Sequence, residues 1–175
     1  ERLNFLHMNH FLTNQDNRPE LDKYRFHHRI DDDVFINKNI EENLFEVMHS
    51  QNYKLATSKL SNHYGPNQRD TRYELFNFCK NFLKENTILP STDKLKEAIM
   101  NNDEKLFHNL HWSSGHFNLY DQKFLKDDNR WINYISAINS HGGIYKYRWG
   151  DLEIIGLFLY IFYNNPKLDL KLASK

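Results

Sequence analysis

Apolar and polar positions along the 175-residue chain follow two periods. Leu3 to Leu12 mixes apolar side chains with His and Asn and reads as a short helix; Asn14 to Pro19 is turn chemistry. Tyr24 to Ile30 is an aromatic run with strand character. Ile40 to Ser50 recurs at helical spacing, with Ile40, Leu44, Phe45, Val47 and Met48 near one face. Tyr53 to Thr57 predicts a strand, and Asn62 to Gln68, containing Gly65-Pro66, predicts a loop. Asp70 to Glu85 predicts the clearest helix, with Asp70 as N-cap. Pro90 stops that region, and Ser91-Thr92-Asp93 opens a further helix to about Met100. His111 to His116 reads as a polar loop around Trp112. Asp128 to Asn139 is helical and Gly142-Gly143 ends it. Ile144 to Arg148 predicts a short strand, and Gly150-Asp151 leads into a last helix. Within it, Ile154 to Tyr163 is apolar apart from Gly156, which predicts a buried helix; the run is too short to span a bilayer. Short strands among longer helices, without repeats or a linker, predict an α/β fold and a single domain over residues 1–175.

Composition narrows the picture modestly. Lys and Arg (23) balance Asp and Glu (23), so no electrostatic case for nucleic acid or an anionic membrane follows. Aromatic residues reach 15% while the mean hydropathy is −0.80. That pairing points to an aromatic core beneath a polar surface, or to a polar cleft lined by rings. Cys79 is the only cysteine, which excludes an intramolecular disulfide and a Cys-based zinc site. Its apolar helical setting predicts a buried, inert thiol. Asparagine is abundant, yet no Asn-x-Ser/Thr sequon occurs, where roughly one or two would arise by chance.

Two segments carry candidate chemistry. Asp31-Asp32-Asp33 directly follows the strand ending at Ile30. Three adjacent like charges cannot be buried together without a cation or strong donors. Strand alternation turns Asp31 and Asp33 to one side, where two carboxylates suit a hard divalent ion with room for phosphate oxygens. A solvated acidic turn is the plainer reading of the triplet alone. The second segment is Gly142-Gly143-Ile144-Tyr145-Lys146-Tyr147-Arg148-Trp149-Gly150-Asp151. Its glycines allow close backbone approach. Arg148 offers a fork to phosphate or carboxylate, and Trp149 a flat face for a ring or sugar. Asp151 suits a helix cap, a sugar-hydroxyl acceptor or a base. The plainer reading is a Gly-terminated helix, a strand and an Asp-capped helix.

Taken together, these segments resemble the fungal Golgi α-1,2-mannosyltransferases, the glycolipid 2-α-mannosyltransferase family. His7-Met8-Asn9-His10-Phe11 is similar to the family's Tyr-x-His-Met-Cys-Arg-Phe, and Tyr24 to Val34 to its Tyr-x-x-Arg-Leu/Ile-Glu-Pro-Asp-Val. Phe117-Asn118-Leu119-Tyr120-Asp121-x-x-Phe124 resembles Phe-Glu-Ile-x-Asp-x-x-Phe. Most specifically, Gly142-Gly143-Ile144-Tyr145 and Arg148-Trp149-Gly150-Asp151 match Gly-Gly-Phe-Tyr-Tyr-Glu-Arg-Trp-Gly-Asp. The resemblance implies a GT-A-like fold, with a mixed sheet flanked by helices. It also implies GDP-mannose as donor, a glycan or glycoprotein acceptor, Mn²⁺ as cofactor, retention at the anomeric carbon and a Golgi-lumenal setting. On that reading Asp31 and Asp33 hold the metal, and Arg29, Arg148, Trp149 and Gly150 contact the donor. Asp151 and Asn118 occupy the catalytic positions.

The chain also departs from the family pattern. Asn118 stands where the family has the Glu proposed as nucleophile, and an amide cannot serve as one. Phe5 replaces a Tyr near the donor sugar. The family's upstream nucleotide-binding βα segment and its downstream metal-binding His have no counterpart here, so the expectation is the central and C-terminal part of a catalytic domain. A glycosyltransferase core is the leading expectation and a catalytically inactive sugar-nucleotide or glycan-binding protein the alternative. A metal-dependent phosphoryl enzyme built on the triplet finds no support elsewhere in the chain.

Overall fold

The computed structural model describes residues 2–14, 19–32, 34, 36, 39–61, 69–113, 116–165 and 167–170. Its elements, in chain order, are α1 (Arg2–Thr13), β1 (Phe26–Ile30), α2 (Leu44–Ser50), β2 (Leu55–Thr57), β3 (Leu60–Ser61), α3 (Arg69–Glu85), α4 (Asp93–Met100), α5 (Glu104–His108), β4 (Trp112–Ser113), β5 (Phe117–Asp121), α6 (Gln122–Lys126), α7 (Asn129–His141), α8 (Gly143–Tyr147), α9 (Asp151–Phe162) and β6 (Lys167–Asp169). Four strands form a mixed sheet in the order β1-β5-β2-β6, with only the β2–β6 pair parallel. A two-stranded ribbon, β3-β4, stands beside it.

Helix α9 organises the core. Ile154, Leu157, Phe158, Leu159 and Ile161 are all fully buried, so the helix is apolar on every side and surrounded by neighbours. The Tyr134 hydroxyl of α7 donates to the Ile154 carbonyl at 3.1 Å. At the other end, Ser91 and Thr92 amides donate to the Ile161 and Tyr160 carbonyls at 2.8 and 3.3 Å, satisfying groups that a helix terminus leaves open. Trp112 reaches α9 at Gly156, where a Cβ would lie 2.6 Å from the indole.

Several expectations change. Ile144 to Arg148 is not a strand: Gly142, at φ +73°, caps α7, and the chain turns straight into α8. Ile144 and Tyr147, three apart, face the core, a helical spacing that the apparent alternation concealed. The His111–His116 loop contains β4, because Trp112 is drawn into the core against Phe107 and Tyr160. Helix α3 begins at Arg69, so Asp70 lies inside its first turn rather than at the N-cap. The predicted loop over 62–68, Asp33 and the Phe5 side chain lie outside the described residues.

Candidate active site

The C-terminal end of β1 meets the N-terminal end of α9. Cross-strand partners in a sheet point to the same face, and Arg29, Asn118 and Thr57 are partners across β1, β5 and β2. On that face the Arg29 guanidinium donates from Nη1 to Asp151 Oδ2 at 2.6 Å, while its Nε lies 3.3 Å from Asp31 Oδ1. Arg29 therefore joins the acidic triplet to the start of α9, 122 residues apart. Burial opposes its charge, but the carboxylates of Asp151 and Asp31 outweigh that and hold its pKa above the ordinary value. Burial lifts the Asp151 carboxyl to about 6, against the pull of Arg29 and with a push from Glu153. The cavity beside the pair, between Arg29, His27, Tyr120 and Asp151, holds only about 10 Å³. It is too small for any substrate.

Behind Arg29 runs a buried chain of hydrogen bonds. Ser113 of β4 donates to Asn118 Oδ1 at 2.5 Å, which uses its only proton; Thr57, 2.6 Å from the Ser113 hydroxyl, is then the donor to it. Thr57 and Asn118 are completely enclosed. Asn118, the catalytic position implied by the resemblance, thus sits beside Arg29 in register as a buried tie within the sheet.

The Gly142 to Asp151 segment is mainly a packing device. A Cβ on Gly143 would lie 2.1 Å from the Trp149 ring, so only glycine admits the indole there. Trp149 is 1% exposed. It stacks on His141 at 4.9 Å and contacts Phe78 at 5.3 Å. This corrects the expectation of an open sugar platform: both the ring and its surroundings belong to the core. Arg148 is exposed, in left-handed backbone (φ 62°) that ends α8. Gly150 is the N-cap residue of α9, and Asp151 follows in the first turn with its amide donating to Asn9 Oδ1 of α1 at 3.4 Å.

With this geometry in place, comparison with known proteins is decisive about kinship. The family model for glycolipid 2-alpha-mannosyltransferase matches residues 1–170. The chain belongs to that family. The probable mannosyltransferase KTR3 of Saccharomyces cerevisiae is 23% identical over 151 residues, covering 86% of this chain and 36% of the relative. The S. cerevisiae mannosyltransferase Ktr4p, solved in complex with GDP, superposes with a TM-score of 0.74 at 20% identity, over 91% of this chain and 41% of that one. Core-mannan synthase A from Aspergillus fumigatus, in a Mn/GDP form, gives 0.75 at 20% identity over 91% and 44%. The mannosyltransferase family thus shares this fold, and the GT-A-like α/β architecture expected from the sequence is the one observed. The chain spans less than half the length of these relatives.

As a member of the mannosyltransferase family, the chain can be asked whether its residues suit a divalent cation. Asp31 directly follows β1, with its side chain 30% exposed and its amide bonded to the His116 carbonyl at 3.1 Å. His116 Nδ1 lies 3.3 Å from Asp31 Oδ2. A half-open carboxylate is a ligand that Mn²⁺ accepts. No cluster of three His, Cys, Asp or Glu occurs among the described residues. One or two carboxylates completed by diphosphate oxygens and water is a normal arrangement for an ion of this kind. The donor chemistry therefore fits. Among the described residues His116 meets Asp31, whereas His108 pairs with Glu104 at 2.9 Å and His141 stacks on Trp149. Sequence reasoning assigned His116 no role, and it also passed over Asn9, Ser113 and Thr57, because the contacts that matter are set by strand register and helix docking.

Proposed function

We propose that this chain is part of the catalytic domain of a retaining glycosyltransferase that moves mannose from GDP-mannose to a glycan hydroxyl. The observation that carries the reading is the Asp31–Arg29–Asp151 chain, which joins the two family-like motifs at one end of the sheet. The GDP and Mn/GDP forms of the structural relatives support the choice of donor and metal. Asp31, with Asp33, would hold Mn²⁺. A cation held by these carboxylates would supply positive charge opposite the departing diphosphate. Arg29 ties Asp31 to Asp151 at the helix start. Asp151 gives one interaction to Arg29 and keeps acceptor capacity for a hydroxyl of the donor sugar or acceptor. Ionised, it can help remove the acceptor proton. Arg148, exposed at the α8–α9 turn, would meet phosphate, with Gly150 beside it at the N-cap of α9. The amide of Asn118 forms no covalent sugar intermediate, so attack would occur on the donor's own face, with a diphosphate oxygen taking the acceptor proton. A Golgi-lumenal setting rests on the family resemblance alone.

A second reading, a sugar-nucleotide-binding protein without turnover, draws on one observation: position 118 is a buried, hydrogen-bonded amide and not a carboxylate. Incubating the full-length protein with radiolabelled GDP-mannose, Mn²⁺ and a mannoside acceptor separates the two. Labelled disaccharide with retained α configuration is expected. GDP binding without any transfer would establish the second reading instead.

A further inference from the structure

The end of the sheet opposite Asp31 gathers a second set of polar side chains. Arg25 leads into β1, Lys54 into β2, and Asp121 closes β5. The Asp121 side chain is 2% exposed; its Oδ2 lies 3.3 Å from Lys54 Nζ and 3.6 Å from Arg25 Nη2. Its Oδ1 accepts from the Lys123 amide at 3.2 Å. Lys54 also donates to Asn52 Oδ1 at 2.7 Å and sits 5.6 Å from the Tyr163 ring centroid. A cavity of about 520 Å³ opens over this cluster. A second, of about 280 Å³, adjoins it and shares Arg25, Lys123 and Asp127. Gln122 lines the second at 2% exposure, and neither its amide nitrogen nor its oxygen has a hydrogen-bond partner among the described residues.

From this arrangement we infer that the double cavity is a binding groove for a neutral saccharide, separate from the Asp31 site. Charge argues against an anion. Arg25, Lys54 and Lys123 are matched by Asp121, Asp127 and Asp128 around the larger cavity, and Asp128 is further tied to Arg130 at 2.6 Å. Around the larger cavity such interleaving leaves phosphate little net field and places donors next to acceptors; in the second cavity, where cations outnumber carboxylates, Lys126 is paired with Asp22. That pattern suits hydroxyl groups, which donate and accept at once. The Gln122 carboxamide adds one more donor–acceptor pair of the kind two neighbouring hydroxyls satisfy. Tyr163 supplies ring surface for the apolar side of a sugar. The larger cavity alone lies within the roughly 300–1,000 Å³ usual for small ligands. Six residue steps along β1 separate Arg25 from Asp31, about 20 Å, so one monosaccharide cannot occupy both ends. The groove stands on its own lining chemistry and does not depend on the transferase reading.

The test is an amide-resolved NMR titration of the intact protein with methyl α-mannopyranoside, run beside inorganic phosphate and GDP. Saturable shifts are expected at Lys54, Gln122, Lys123 and Asp127 with the glycoside and not with phosphate. Lys123→Ala with Asp127→Ala, both at exposed positions, should weaken that binding about tenfold or more at an unchanged melting temperature, whereas Asp31→Asn should leave it intact. No saturable shift at these residues, equal saturation by phosphate, or undiminished binding by the double variant would each overturn the inference. Failure of GDP to bind would count against the transferase reading alone.

Discussion

Asp151 is buried beside a permanent cation, and the two influences oppose each other. Burial wins, lifting the carboxyl from 3.8 to about 6. A group whose folded pKa is raised contributes stability below its unfolded pKa and loses it as pH rises through the folded one. Asp151 therefore favours folding near pH 4 and progressively less toward pH 6. The groups facing it are Arg29 of β1 and Glu153 of α9, with His27 on the same small cavity. Compared with wild type, Asp151→Asn should flatten the stability profile between about pH 4 and 6, measured by chemical denaturation at each pH. If the ionised form assists proton removal, turnover rises through the same window and Asp151→Asn loses it while GDP affinity is kept. Parallel profiles for wild type and variant, or unchanged turnover, would remove Asp151 from the account. Ser113→Ala tests the hydrogen-bonded tie behind Arg29. It leaves the buried Asn118 oxygen and Thr57 hydroxyl without their shared partner, so a cost of about 1–3 kcal/mol is expected; an unaltered urea midpoint would contradict the tie. Arg29, Asp31 and Asp151 were legible in the sequence because each sits in a short, residue-specific motif. His116, Asn9, Ser113 and Thr57 were not, since nothing local to them reveals which strand or helix they will face.

At the scale of elements, the Gly142 to Asp151 segment shows how one motif serves two ends. Gly142 reverses the chain after α7, Gly143 makes room for Trp149, and the buried indole seats the turn that delivers Asp151 to Arg29. Gly143→Ala forces a methyl group into the ring, and the Trp149 indole is hemmed in by His141 and Phe78. A loss of about 1–3 kcal/mol in unfolding free energy is expected, with reduced turnover as Asp151 shifts; Gly150→Ala, whose Cβ would meet only the movable Glu153 carboxylate, should cost less. Equal losses would dissociate the indole from this role. Helices α3, α4, α7 and α9 were readable because long periodic runs and their end signals agree. Strand β5 was not recognised as a strand at all. It lies at the centre of the sheet with all five residues buried, two of them the polar Asn118 and Asp121, so the alternation that marks a half-exposed strand is absent. The misread α8 has the converse cause: Ile144, Lys146 and Arg148 alternate with two tyrosines, and only the core beneath them imposes the helical turn.

For the molecule as a whole, the sheet has two chemically different ends. One carries the Asp31–Arg29–Asp151 ion-pair chain at the strand end before the acidic triplet; the other carries the charge-balanced groove around Asp121. Between them, α9 and the aromatic core hold the separation fixed. On the proposed function, the first end takes the nucleotide diphosphate and the cation. The most direct measurement is calorimetric titration of GDP into the full-length protein with and without Mn²⁺. The account predicts binding that requires the metal and is lost in Asp31→Asn. Binding of equal strength without metal, or an Asp31→Asn protein that binds GDP and Mn²⁺ as wild type does, would contradict it.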